Sequence, residues 1–596
     1  MASINNPAAE AMLIEGLALH KAGLLAEAEA LYQQALAVQP IYFDALHLMG
    51  VVLTQTQKHK SALDFLARAA ALQPAHPEAS YNLGIVLTEL GQADDALKAF
   101  DRALEARPDY AEAHCHRANL LKNLGQLHEA LAAYDLAVQF KQDYSIALNN
   151  RGIALKSLGR LDAALESYAS AIACNPDYAS AYCNLGLLLQ QMGDPEAAMQ
   201  SYARAIEIRP DFSEAYSNRG LLLKELGQLD SALQDYQQAI ALNPLNAEAW
   251  SNQGIVLQEL GQWAASIDCF DHAVNIKPDF ADACLNRGLA HLQLGNFELG
   301  WLDYEWRLKL VNQGELLQPK ARPRWYGDVP LVGKIILLYA EQGLGDSLQF
   351  CRYASDLKRL GASVVLQVQP ALAPLLKHLP DIDALILVGD ALPDHDFHCP
   401  LLSLPLALET RADSIPCADR YLGTDKSQVQ LWQHRLGPKT CQRIGVVWSG
   451  NMAIPKRSIP LAAFHQMLPA GYQYVSLQRE VESADLPALA AAGLSHFGES
   501  LDFAATAVVC DLMDVVVTVD TSIAHLAGAL GKKVFILLPF NADWRWLLNR
   551  QDSPWYPTAT LLRQHQVGDW SGVFADLAAA LRGLEFAGPG LQNTAR

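Results

Sequence analysis

The sequence lacks the features that mark secreted, membrane-spanning and metal-clustered proteins. Its ten cysteines are scattered, and none forms a C-x-x-C pair, which argues against a zinc ribbon and against a disulfide framework. No apolar run is long enough to cross a bilayer. The N-terminus has no basic segment followed by an apolar run, so no secretion signal is expected. Scattered free thiols fit a reducing cytoplasm, and we expect the protein to reside there.

Positive charge is also scarce. Lys and Arg number 45 against 64 Asp and Glu, a net charge of −19, and this argues against nucleic-acid recognition, which needs a basic face. This excess of acidic residues is unevenly distributed. Residues 1–314 contain 21 basic and 37 acidic residues, whereas residues 315–596 contain 24 basic and 27 acidic residues. A chain of 596 residues exceeds one hydrophobic core, so the two parts are expected to be different domains.

The first half repeats every 34 residues. A proline recurs at this period or twice it, and the skipped site is Gln142. Two glycine series and an alanine series keep the same period, and an aromatic residue follows most of the alanines by four positions. This pattern is typical of tetratricopeptide (TPR) repeats, in which pairs of antiparallel helices stack into a solenoid. We predict eight good repeats from about residue 9 to 280 and a ninth that decays after Gly295.

Seven of the nine predicted repeats carry a polar residue at one position of the helix face that points toward the solenoid groove. With the repeat proline numbered 32, position 6 is His116 in one repeat and asparagine in six others: Asn82, Asn150, Asn184, Asn218, Asn252 and Asn286. An amide both donates to and accepts from a peptide backbone, so this ladder predicts a groove for an extended polypeptide. The alternative is that asparagine here only caps or solubilises the helix. The ladder resembles that of O-linked N-acetylglucosamine transferases, and this resemblance implies binding of protein substrates.

The second half changes period. Short apolar runs alternate with helical stretches, which predicts parallel sheets in two Rossmann-like lobes with a cleft at the carboxyl ends of the strands. The eight predicted strands are 334–340, 363–369, 384–388, 443–448, 472–477, 514–519, 533–538 and 559–562. The predicted domains are a TPR solenoid at 1–312, a linker at 313–330, an acceptor-side lobe at 331–428 and a nucleotide-sugar-side lobe at 429–596.

Three polar clusters follow predicted strands. In the first, Asp346 lies near a helix N-terminus after a glycine-rich turn, where an acidic residue is commonly a cap. In the second, Lys456 and Arg457 form a cationic pair suited to phosphate, or only a solvated loop. The third begins at a strand end and places hydroxyls and a histidine in the first turn of a helix, an anion site or a capped helix with a core histidine. Its residues are Asp520, Thr521, Ser522 and His525.

Together these clusters resemble the heptosyltransferase-like family of GT-B glycosyltransferases over about residues 334–585. The resemblance implies that Asp346 is the general base, that Lys456 holds donor phosphate, and that the 520–525 cluster lines the donor diphosphate. Ser522 stands where the family usually has glycine, so the donor pocket is expected to differ. GT-B enzymes usually need no metal, and Asp394-His-Asp396, which resembles a metal motif of another glycosyltransferase fold, is not expected to bind one.

The junction also resembles a bacterial family of TPR proteins that carry this domain. The resemblance rests on motifs on both sides of the predicted lobes: Gly300-Trp-x-x-Tyr304-Glu-x-Arg307, Pro323-x-Trp325-x-Gly327, Trp544-Arg-Trp546 and Asp552-Ser-Pro-Trp-Tyr-Pro557. Their aromatic residues could stack on sugar, although packing between lobes is the more common use.

The expected function is an inverting, metal-independent transfer of a sugar from a nucleotide-diphosphate sugar to a protein held by the TPR groove, with no cofactor. Two alternatives remain open: a non-catalytic TPR scaffold with a degenerate α/β unit, and a saccharide transferase of the lipopolysaccharide type. The sequence determines neither the base and sugar of the donor, nor the acceptor, nor the oligomeric state.

Overall fold

The computed structural model describes residues 6–310, 322–450 and 457–584. The chain divides into two compact units, residues 1–244 and 245–596, which we call the first and second units. The predicted fold class, an all-α TPR solenoid followed by α/β lobes with parallel sheets, is confirmed. The domain boundaries proposed from the sequence stay predictions.

The first unit contains seven pairs of antiparallel helices. They are α1 (Pro7–Lys21), α2 (Leu25–Val38), α3 (Phe43–Gln55), α4 (His59–Leu72), α5 (Pro77–Glu89), α6 (Ala93–Ala106), α7 (Ala111–Asn123), α8 (Leu127–Phe140), α9 (Ser145–Ser157), α10 (Leu161–Cys174), α11 (Ala179–Met192), α12 (Pro195–Ile208), α13 (Ser213–Glu225) and α14 (Leu229–Leu242).

The periodic glycines explain this pairing. The first series lies where the two helices of a pair touch, and a Cβ on Gly152 would lie 2.5 Å from the ring of Tyr168, the aromatic residue 16 positions later. The second series ends the first helix of each pair at positive φ, between 73° and 82°. Gln57 occupies that site in the second repeat and also has positive φ, 58°. The backbone geometry is therefore retained where the glycine is not.

The second unit begins with five more helices. They are α15 (Ala247–Glu259), α16 (Trp263–Ile276), α17 (Ala281–Gln293), α18 (Phe297–Tyr304) and α19 (Arg307–Leu310). The first four form two further repeats, and the ninth is truncated because its second helix has eight residues where earlier ones have fourteen. No helix among the described residues is long and apolar enough to cross a membrane.

Two parallel sheets follow in the second unit, with strand orders β3-β2-β1-β4 and β6-β5-β7-β8-β9. The strands are β1 (Ile335–Tyr339), β2 (Ser363–Val368), β3 (Ala384–Leu387), β4 (Phe397–Pro400), β5 (Arg443–Val447), β6 (Gln473–Ser476), β7 (Val515–Val519), β8 (Val534–Leu538) and β9 (Ala559–Arg563). All eight predicted strands are present. β4 was not predicted, because its four residues include a histidine and a proline and lack an apolar run.

Among the described residues, ten α-helices accompany the two sheets. They are α20 (Leu344–Phe350), α21 (Ala354–Arg359), α22 (Ala373–Leu376), α23 (Leu404–Ala407), α24 (Lys426–Leu436), α25 (Leu461–Gln466), α26 (Leu486–Ala491), α27 (Phe503–Asp511), α28 (Ser522–Ala529) and α29 (Ser571–Arg582).

The described part of the predicted linker is packed rather than free. Trp325 is 2% exposed, and its backbone N–H donates to the carbonyl of His398 in β4 at 2.9 Å. Arg324 pairs with Glu305, which follows α18. Residues 322–330 therefore join the first sheet to the last repeat, and residues 311–321 lie outside the described part of the chain.

Candidate functional site

Two strand-to-helix turns supply the candidate site, one from each sheet. β1 leads through Glu341-Gln-Gly343 into α20, which carries Asp346 in its first turn. β7 leads through Asp520 and Thr521 into α28, where the Thr521 hydroxyl caps the helix by accepting the N–H of Ile523 at 3.2 Å. β1 and β7 are interior strands of their sheets, so both turns lie at carboxyl strand ends where α/β proteins bind ligands.

The two turns contact each other through Gly345. A Cβ at this position would lie 2.9 Å from Cδ2 of His525 and 3.5 Å from Cα of Ser522. The absence of a side chain therefore allows α20 to approach α28. The structure thus brings Asp346 next to the 520–525 cluster, although the two segments are about 175 residues apart in the chain.

Arg545 connects Asp346 to the second sheet. It lies in the loop after β8, and its guanidinium donates to Oδ1 of Asp346 at 2.5 Å, to Oδ1 of Asp543 at 2.8 Å and to Oε1 of Gln349 at 2.7 Å. Its side chain is 8% exposed. Three acceptors around one side chain suit a guanidinium, which offers five N–H donors in a fixed fork.

Arg457 continues the chain of charges toward β7. Its guanidinium lies 3.3 Å from Oδ2 of Asp520 and 3.4 Å from Oδ2 of Asp543. The alternating order is therefore Asp346, Arg545, Asp543, Arg457 and Asp520. Lys456, the other predicted donor-binding cation, lies outside the described residues.

Sequence reasoning missed Asp543 and Arg545. It selected the neighbouring tryptophans as motif residues that could stack on sugar, with packing as the more common use. The available signal was an aspartate and an arginine in the loop after the buried strand β8, at the same sheet edge as Asp520. Their importance follows from ion pairs between three separate chain segments, which no local pattern encodes.

Burial and the paired charges set different pKa values along this chain. Burial raises the pKa of the Asp346 carboxyl, and Arg545 opposes that rise only in part. Burial likewise raises the pKa of Asp520 to about 6, against the opposing effect of Arg457. For Asp543, burial is outweighed by Arg545 and Arg457 together, and its pKa is lowered. Asp543 is therefore the stable counterion, and Asp346 and Asp520 are the carboxylates poised to take a proton.

His525 is held as a neutral ring. Burial lowers its pKa to about 3, and nearby Arg545 acts in the same direction. Its Nδ1 lies 2.9 Å from the hydroxyl of Tyr556, and the ring stacks on Trp546 with centroids 5.4 Å apart. At neutral pH this histidine supplies a packed edge and a hydrogen-bonding nitrogen to the site, but no positive charge.

Asp346 combines both roles considered from the sequence. It is the third residue of α20 and accepts the backbone N–H of Gly343 at 2.9 Å through Oδ2, as a capping residue does. Its other oxygen accepts from Arg545, and the side chain remains 17% exposed. The contacts orient the carboxylate, and each oxygen keeps a further lone pair for a substrate proton.

The asparagine ladder is part-exposed, and the structure shows contacts for several of its members. In the first unit these amides bond to the preceding repeat, since Asn184 Nδ2 donates to Asn149 Oδ1 at 2.9 Å and Asn150 Nδ2 to Asn119 Oδ1 at 3.0 Å. Asn82 and Asn218 make the corresponding contacts with His47 and Cys183. Asn252 and Asn286 belong to the second unit and are half-buried. In these four repeats one amide hydrogen connects neighbouring repeats, which fixes the direction of the side chain.

Comparisons with known families identify the helical half. Models described as tetratricopeptide or TPR repeat match residues 2–40, 15–79, 53–114, 99–132, 154–193, 179–212, 201–234, 220–261 and 256–295. The N-terminal half consists of TPR repeats. Such repeats indicate a role in protein–protein interaction.

Individual proteins are also similar to part of this chain. Protein FlbA of Caulobacter vibrioides is 26% identical over 314 residues, covering 48% of this chain and 52% of FlbA, so the chain spans about half the length of this curated relative. Among solved structures, YrrB, described as a TPR protein with an unusual peptide-binding site, is 26% identical and covers 31% of this chain and 96% of its own, with a TM-score of 0.26. PilF of Pseudomonas aeruginosa is 20% identical and covers 35% and 94%, with a TM-score of 0.32.

Proposed function

We propose that this TPR protein is a glycosyltransferase that moves a sugar from a nucleotide-diphosphate sugar to a hydroxyl of a protein acceptor. The observation that carries the proposal is the meeting of Asp346 with the N-terminus of α28 at the carboxyl ends of two parallel sheets. A partly buried carboxylate with a raised pKa then lies beside a helix end suited to an anion. These are the two groups that an inverting transfer needs.

In the proposed reaction the acceptor oxygen attacks the anomeric carbon of the donor sugar. The hydroxyl proton passes to the Asp346 carboxylate as the new carbon–oxygen bond forms. The bond between the anomeric carbon and the phosphate oxygen breaks, and the nucleoside diphosphate leaves with that electron pair. The first-turn amides of α28, together with Lys456 and Arg457, stabilise the charge on the leaving group.

Arg545 sets the conditions under which Asp346 serves as base. A burial-raised pKa makes the carboxylate a stronger base, and the cation at 2.5 Å keeps it ionised and aimed. A base whose pKa approaches the working pH balances ionisation against proton affinity. The direction of the shift therefore fits general base catalysis.

The test begins with a donor screen and then separates donor binding from catalysis. Thermal shift with UDP-, ADP- and GDP-sugars identifies the donor. Asp346→Asn keeps the side-chain size and a hydrogen-bonding oxygen, so donor affinity should stay within about twofold while turnover falls about 10²–10⁴-fold. Lys456→Ala removes a cation from the diphosphate, and donor affinity should fall by roughly 1.5–3 kcal/mol. Normal turnover by the Asp346→Asn protein would remove the catalytic assignment.

The acceptor side has its own experiment. A triple variant, Asn184→Ala, Asn218→Ala and Asn252→Ala, should raise the acceptor KM, because each lost hydrogen bond contributes about 1 kcal/mol, and should leave donor affinity unchanged. Asn149→Ala is the matched control, since it removes the partner of Asn184 within the solenoid and keeps the ladder. An acceptor KM that rises equally in the control would assign the ladder to repeat packing.

A non-catalytic scaffold is the second candidate, and one observation favours it. Every contact of Asp346 in the described structure also has a structural use, as a helix cap and as a counterion. In that case Asp346→Asn lowers the melting temperature, and the wild-type protein turns over none of the donors screened. The same measurements therefore decide between the two functions.

A further inference from the structure

The loop that carries Arg545 has a strained backbone. Residues 539–558 connect β8 to β9, and within them Leu547 and Asn549 have positive φ values of 51° and 53°. Leu547 is a branched apolar residue, 8% exposed, for which this backbone region is unfavourable. Such a conformation persists only where surrounding contacts hold it.

Two of those contacts come from the last TPR repeats, and others come from Arg563 of β9, which donates to the carbonyls of Trp546 and Arg550. Asn541 Nδ2 donates to the carbonyl of Glu259 at the end of α15, at 2.7 Å. Gln293 Nε2, at the end of α17, donates to the carbonyl of Leu547 at 3.3 Å. Both bonds join a helix end of the second unit to a flank of the Arg545 turn.

Gln293 differs from its counterparts in the other repeats. It occupies position 13, and the residues at that position in the six repeats from the second to the seventh are all exposed: Gln55, Glu89, Asn123, Ser157, Gln191 and Glu225. Gln293 is 1% exposed. A position that is exposed in these six repeats is here a buried hydrogen-bond donor to the strained residue.

The two helices after Gln293, α18 and α19, contact the segments on both sides of the Asp346–Arg545 pair. In α18, Trp301 and Tyr304 pack edge-on against Trp544, with ring centroids 5.3 and 5.9 Å away. On the other side, Arg307 of α19 donates to Glu341 at 2.7 Å, in the turn that leads to Asp346. The last repeat therefore holds the segments that present the base and its cation.

We infer that the ninth repeat is a positioning element of the active site, with Gln293 as the positioning residue that holds Arg545 against Asp346. The inference rests on the proposed function for its catalytic consequence. Loss of the Gln293 bond allows the strained turn to relax, which draws Arg545 away from the carboxylate. Asp346 then loses its cation and becomes harder to ionise.

The test compares Gln293→Met with Gln191→Met. Methionine keeps the volume and removes the donor, and Gln191 is the exposed residue at the same repeat position. Hydrogen–deuterium exchange at residues 541–549 should be roughly three- to tenfold faster in Gln293→Met and unchanged in Gln191→Met. Asn541→Ala, at an exposed side chain that tolerates truncation, should accelerate the same amides, which keeps the test available if Gln293→Met does not fold.

Kinetics separate positioning from a purely structural role. With an identified donor, Gln293→Met should lower kcat roughly three- to tenfold, leave the acceptor KM unchanged and shift the acid limb of the pH–rate profile to higher pH. The inference is overturned if hydrogen–deuterium exchange at residues 541–549 is unchanged in both Gln293→Met and Asn541→Ala. It is also overturned if exchange is faster but kcat and the acid limb of the pH–rate profile do not change. If exchange is faster but the wild-type protein turns over no donor, the contact between Gln293 and the loop is supported and the proposed function is rejected instead.

Discussion

Replacing Arg545 with methionine would leave two buried carboxylates without their shared cation. Asp346 and Asp543 both accept from Arg545, and their side chains are 17% and 18% exposed. Removing one partner of a buried ion pair costs about 3–5 kcal/mol. Here Asp346 keeps the N–H of Gly343, and Asp543 keeps Arg457 and the backbone N–H of residue 545, so we expect the lower end, about 3 kcal/mol.

That free energy converts to a measurable melting shift. The second unit has about 350 residues, and unfolding entropy is about 2.1 cal/mol/K per residue. A loss of about 3 kcal/mol therefore lowers the melting temperature of this unit by about 4 °C. Differential scanning calorimetry of the full chain at pH 7.5 measures it.

The pH dependence of the loss is the sharper part of the prediction. Without Arg545 the pKa values of Asp346 and Asp543 rise above those in the unfolded chain. Groups with raised folded-state pKa values stabilise the protein at low pH and lose that contribution as the pH rises. The stability deficit of Arg545→Met should therefore grow as the pH rises from the acidic to the neutral range.

Neutralising the stranded carboxylates provides the control. The triple variant Arg545→Met, Asp346→Asn and Asp543→Asn should recover at least about half of the lost melting temperature, because no uncompensated buried charge remains. A deficit equal at pH 4.5 and pH 7.5, or one that the triple variant does not reduce, would refute the ion-pair account of Arg545.

Three further predictions concern single positions. Burial raises the pKa of Asp520 to about 6 from an ordinary value near 3.9. This difference corresponds to roughly 3 kcal/mol of folding free energy. The protonated carboxyl therefore contributes this stability below about pH 4, and the contribution is lost as the pH rises through 6. Asp520→Asn should then gain melting temperature relative to wild type between pH 4 and 7, and a constant difference would contradict this. Gly345→Ala places a Cβ 2.9 Å from His525 and should destabilise by about 1–3 kcal/mol in thermal melts, with no loss if α20 moves freely. Gly152→Ala should destabilise more than Gly220→Ala in urea unfolding, since their Cβ atoms would lie 2.5 and 3.1 Å from the facing tyrosine rings; the reverse order would contradict the packing argument.

The periodic half was predictable because its constraints are local. Position 8 is glycine against an aromatic ring in most repeats, although Ala118 occupies it in the fourth, and the helix end needs positive φ. Both features follow the 34-residue period. Gln57 keeps the positive φ without a glycine, so the 34-residue period predicted the helix end better than the residue type did. Eight of the nine strands in the described part of the chain were predictable because each lies in a short, mainly apolar segment, whereas β4 depends on its pairing with β1.

The candidate site was predictable in part. Asp346 and the 520–525 cluster follow strands directly, so position relative to a strand end was enough to select them. The neutral state of His525 was not predictable, because it depends on burial against Trp546 and Tyr556. Neither was the role of Gln293, whose sequence position marks it only as another groove residue.

By itself the sequence determined the repeat, the parallel sheets and the two turns that carry the selected carboxylates, because these depend on periodicity and on residues adjacent in the chain. Only the tertiary structure decided which charges meet. The charged residues of the site come from four separate segments, whose distances are set by strand order and helix packing. These segments carry Asp346, Arg457, Asp520, and the pair Asp543 and Arg545. Ion pairing and burial act through space, and their effect on each pKa is therefore a property of the folded chain.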